Sequence, residues 1–77
     1  MRKKQLKLVV TFDSTSDAMA MESYCTQNSI PGRIIPVPQI ISAGCGMAWC
    51  ADLDEEDAVD KAATNAGISY EIYKCMV

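Results

Sequence analysis

A chain of 77 residues with 49% apolar and 22% charged side chains has the composition of one small globular domain, here taken as 1–77, rather than of a disordered segment. At this length only roughly 60–65% of the unfolded surface is buried on folding, so assembly into a homodimer is a natural supplement to stability. The net charge of −3 argues against a nucleic-acid partner, which would need a basic face.

The one basic cluster, Arg2-Lys3-Lys4 with Lys7, opens the chain and resembles the start of a signal peptide. The apolar run after it, Leu8-Val9-Val10, is too short for such a peptide's core and leads to no small-residue cleavage site. No stretch reaches the length of a membrane span. The expected location is the cytoplasm, where thiols stay reduced.

Leu6 to Phe12, rich in Val, Leu and Thr, reads as a first strand. Asp13-Ser14-Thr15-Ser16-Asp17 then offers helix caps, and Ser14 with Asp17 approximates a capping box. Ala18, Met21, Tyr24 or Cys25, and Asn28 follow at helical spacing, giving a first helix that ends near Asn28. Ile30-Pro31-Gly32 is a breaker.

Arg33 to Pro38 reads as a second strand, and its prolines locate it. Pro36 and Pro38 are two apart, so both missing N–H groups fall on one side. A central strand would lose ladder bonds twice, whereas an edge strand with that side to solvent loses none. After the 39–46 loop, Met47 to Ala51 is a short third strand. Six acids between Asp52 and Asp60 open a second helix, where the helix dipole favours negative charge. They lack the glycine and spacing of a calcium loop. Ala58, Ala62 and Ala66 share one face of this helix, with Val59 and Ala63 beside them. Gly67 is its C-cap, and Ile68 to Val77 is a fourth strand.

The order β-α-β-β-α-β is that of the ferredoxin-like fold. It predicts an α+β sandwich with an antiparallel four-stranded sheet and two helices on one face. The second strand of that fold is an edge strand, in agreement with the prolines.

Chemistry concentrates at Ser42-Ala43-Gly44-Cys45-Gly46. A cysteine between Gly44 and Gly46 has little side-chain cover, and backbone N–H groups can approach its sulfur to support a thiolate. The plain alternative is a glycine turn in which the thiol is incidental. In the expected topology Cys45 falls beside Asp13–Asp17 and the N-terminus of the first helix, a setting that lowers a thiol pKa unless the two carboxylates face the sulfur. The chain has no histidine, so a papain-like hydrolase is excluded. A thiol without an acid–base partner suits transfer through sulfur itself.

Cys50, in or at the end of the third strand, is a candidate resolving thiol for Cys45, although C-x4-C is not the thioredoxin-type spacing. Cys25 and Cys75 are most simply core or surface residues. Trp49 is a packing anchor, and Met19, Met21, Met47 and Met76 are filler. Two disulfides among the four cysteines are the minor reading without a secretory signal. Without histidine or C-x-x-C no metal site is expected, and no cofactor is implied.

From Val9 to Tyr73 the chain resembles a family of small bacterial selenium/sulfur carrier-like proteins. The likeness rests on Thr11-Phe12 leading to Asp17-Ala18-Met19-Ala20-Met21-Glu22, on Ile30-Pro31-Gly32-Arg33, on Pro36-Val37-Pro38, and above all on Ile41-Ser42-Ala43-Gly44-Cys45-Gly46-Met47-Ala48. The resemblance implies a carrier rather than a true enzyme. Such a carrier holds sulfane sulfur or selenium on Cys45, takes it from a donor such as a cysteine desulfurase, and passes it to an acceptor enzyme. In that family the position of Cys50 is commonly basic, which argues against an essential role for this thiol. Two other functions stay open: an interaction or dimerisation module, and thiol redox work by Cys45 with Cys50.

Overall fold

The structure is a computed structural model that describes residues 5–38, 40–41 and 45–76. Its elements run β1 (Leu6–Phe12), α1 (Thr15–Gln27), β2 (Arg33–Pro36), β3 (Met47–Ala51), α2 (Glu56–Ala66) and β4 (Tyr70–Met76), with one 3-10 turn at Leu53–Glu55 before α2. The four strands form one sheet in the order β2-β3-β1-β4, with every pairing antiparallel. This is the expected ferredoxin-like α+β arrangement, with β1 in the interior of the sheet.

Alternation along β1 divides the core between two faces. Leu8, Val10 and Phe12 point to the helices and pack with Ala18, Met21 and Cys25 of α1 and Val59, Ala62 and Ala63 of α2. Val9 points to the opposite face, where Ala48 and Ile41 cover it and no helix takes part. Both helices therefore lie on one side of the sheet.

β2 is an edge strand paired only with β3, as the prolines require. The Val37 N–H donates to the Gly46 carbonyl at 3.1 Å, so by strand alternation the nitrogens of Pro36 and Pro38 face away from β3. The strand stops at Pro36 instead of reaching Pro38. Val37 adds one bond beyond it, and Pro38 has no N–H with which to continue.

Ser14 caps α1, its Oγ accepting from the Asp17 N–H at 3.2 Å. α2 begins at Glu56, later than the Asp52 start expected from the acid run. The Asp52 side chain makes no cap bond and instead pairs with Lys7 of β1, so the entry is a 3-10 turn. The buried line on α2 is Val59, Ala62 and Ala63, with Ala58 and Ala66 only half-buried. The contact stripe is thus rotated from the Ala58–Ala62–Ala66 line. α2 closes with bonds from Gly67 N–H to the Thr64 carbonyl at 3.1 Å and from Ile68 N–H to the Ala63 carbonyl at 3.5 Å. β4 then starts at Tyr70 rather than Ile68, because Ile68 is used for packing against the helix-side core.

Trp49 is the packing anchor expected of it, 3% exposed in the helix-side cluster. Its indole explains Gly32. A Cβ at Gly32 would lie 2.4 Å from Trp49 Nε1 and 2.7 Å from the Cys50 carbonyl, at a φ of +132°. Of the four methionines read as filler, only Met21 is fully buried.

Candidate functional site

The β2–β3 connection places Cys45 at the end of the sheet where β1 hands over to α1. The Cys45 N–H donates to the Phe12 carbonyl at 3.0 Å, and Phe12 lies two residues before the Ser14 cap of α1. The Cys45 backbone therefore lies at the strand end that leads into that helix, as the topology predicted. Cys45 is half-buried, packed against the helix-side core. Its Sγ donates weakly to the Met47 carbonyl at 3.9 Å.

That arrangement bears on how the thiol is held. The N–H of Cys45 itself is committed to Phe12, so it does not serve the sulfur. The contact to Met47 is to a backbone acceptor. Gly46 has φ +90°, and a Cβ there would meet nothing within 4 Å. Its role is the backbone conformation that turns the chain into β3, not space for a ligand. Gly44, the other glycine expected to support the thiol, lies outside the described residues, as do Ser42 and Ala43.

The remaining thiols occupy different surroundings. Cys25 is fully buried between α1 and the sheet, and burial pushes its pKa up to about 11. Cys50 is 8% exposed. Burial raises its pKa, while Arg33 and Lys7 nearby pull it down. Cys75 is half-buried on β4 against the cluster of the helix-free face. All four cysteines are free.

The structure does not bring Cys45 and Cys50 together. Cys50 pairs with Val9 across β3–β1 and so faces the helix-free side, while Cys45 packs on the helix side. The extended stretch from Met47 to Cys50 alone spans about 10 Å, beyond the ~7 Å between Cα atoms that a disulfide tolerates. Cys50 and Cys75 share the helix-free face but lie on strands either side of β1, again about 10 Å apart or more. Among the described residues no group of three or more Cys, Asp or Glu converges to hold a metal ion, and no helix is long and apolar enough to cross a membrane.

The burial of one residue near the site escaped the sequence reading. Ile41, in a segment read simply as loop, is buried at 8% exposure against Val9 and Ala48, while its neighbour Ile40 is 82% exposed. The pattern that could have shown it is an apolar pair just after the Pro36–Pro38 edge, one of whose members must face the sheet.

Fold and site together define a small ferredoxin-like protein presenting one partly accessible cysteine at the mouth of its β2–β3 loop. A family model described as "Putative Se/S carrier protein-like" matches residues 7–74. The chain belongs to that family. No curated protein and no solved structure gives a match.

Proposed function

We propose that the protein carries sulfane sulfur or selenium on Cys45 and hands it to an acceptor enzyme. In the loading step the Cys45 thiolate attacks the outer sulfur of a donor persulfide. A new S–S bond forms at Cys45, the donor's S–S bond breaks, and the donor leaves as its thiolate. Cys45 then holds a persulfide, with no net oxidation of the pair. Release is the same exchange run toward an acceptor thiol. Selenium follows the same course from a donor bearing an S–Se bond.

The observation that carries this reading is the placement of Cys45. It is half-exposed in a loop at the end of the sheet where β1 leads into α1, whereas Cys25 and Cys50 are buried with raised pKa values. The family supports the cargo. The separation of Cys45 from Cys50 supports single-thiol storage over a redox pair.

Incubation with a cysteine desulfurase and cysteine or selenocysteine, followed by intact-mass measurement, tests the proposal. The expected product carries one added sulfur or selenium atom, removable by reductant, and forms in Cys50→Ser but not in Cys45→Ser. Loss of loading in both variants would favour the redox pair. No adduct from any donor on the folded protein would favour an interaction module.

A further inference from the structure

We infer that Ile41 is a positioning residue for Cys45, clamping the cysteine-bearing loop to the helix-free face of the sheet. Within four residues the chain changes sides. Ile41 packs with Val9 and Ala48 in the cluster that no helix covers. Cys45 packs against the cluster beneath the helices. Ile41 and Cys45, four residues apart in the chain, thus pack on different faces of the sheet.

Each fixing point is visible in the bonding. A turn sets the first, the Ile41 N–H donating to the Pro38 carbonyl at 2.9 Å, which turns Ile41 inward and leaves Ile40 outward. The second is the Cys45 N–H to the Phe12 carbonyl at 3.0 Å, with Val37 N–H to the Gly46 carbonyl at 3.1 Å closing the mouth. On the helix-free face the described part of the loop is held by one buried side chain, and that side chain is apolar. Its hold depends on area removed from water and on the fit against Val9 and Ala48.

The consequence concerns the accessibility of the thiol. Cys45 is only half-exposed because it packs against the helix-side core. Truncating Ile41 releases one end of the loop, and local opening at Cys45 becomes easier while the helices and β1 stay packed. The inference rests on Cys45 being the working thiol. Its test reads thiol alkylation, which reports on the loop whether or not Cys45 accepts sulfur.

The experiment measures alkylation rates of Cys45 and Cys25 in the same molecule by peptide mass after limiting iodoacetamide. Cys25, fully buried in the core, gauges global opening. Ile41→Ala is expected to raise the ratio of Cys45 to Cys25 labelling roughly threefold or more. Ile41→Leu, which keeps the carbon count, should return it toward the parent value. Val59→Ala empties the helix-side core, and the added global opening raises Cys25 labelling, so the ratio should fall rather than rise. If Ile41→Ala does not fold, Ile41→Val should show a smaller rise in the same direction. An unchanged ratio in the folded Ile41 variants, or an equal rise in Val59→Ala, would overturn the inference.

Discussion

At the scale of single residues, two glycines separate two kinds of demand. Gly46 stands at φ +90° with open space where a side chain would go, so Gly46→Ala meets only backbone strain, of order 1–3 kcal/mol. Gly32 has both a positive φ and the Trp49 indole, with the Cys50 carbonyl, in the place of its Cβ. Gly32→Ala must also displace Trp49 or β2. Thermal melts should therefore rank Gly32→Ala below Gly46→Ala, and the reverse order would contradict the close approach to Trp49. Cys25 gives a prediction with pH. Its folded pKa is raised by burial to about 11, above the unfolded value, so the native state holds the proton longer. Its contribution to stability is complete below the ordinary thiol range and is lost as pH rises toward about 11. Between about 9 and 11, the parent should lose melting temperature faster than Cys25→Ala. Parallel profiles would mean that Cys25 is not held in an apolar site.

At the scale of elements, the small side chains of α2 fix how closely it sits on the sheet. Ala62 is buried between Val59 and Ala63, so Ala62→Leu should overpack the interface and cost roughly 1–3 kcal/mol. A melt equal to the parent's would show that another helix face is buried. The elements themselves were largely legible. A Val-, Leu- and Thr-rich run marked β1, the Ser14 cap marked the start of α1, and two prolines on one side of a strand placed β2 at the edge. What stayed hidden depended on contacts distant in sequence. The acid run reads as a helix start at Asp52, yet Lys7 of β1 draws that carboxylate away. The alanine spacing in α2 is consistent with neighbouring stripes, and only the position of the sheet selects Val59–Ala62–Ala63. Ile41 shows the same limit at the site. Glycine and cysteine made the loop conspicuous, but the face on which Ile41 is buried is a property of the assembled sheet.

At the scale of the molecule, the fold divides four thiols among distinct surroundings. One lies in the helix-side core, two lie on the helix-free face on strands separated by β1, and one lies at the loop mouth where β1 leads into α1. That division favours storage on one sulfur over exchange between two, because neither Cys45–Cys50 nor Cys50–Cys75 can close without taking strands apart. Cys75 is the thiol against which Cys45 must be compared, since both are half-buried. The most direct measurement lets all four compete within the unaltered protein. After brief loading from a persulfide donor at less than one equivalent, the protein is trapped, digested and its peptides weighed. The carrier account predicts that the added sulfur lies on the peptide containing Cys45. An adduct found chiefly on the Cys75 peptide would contradict it.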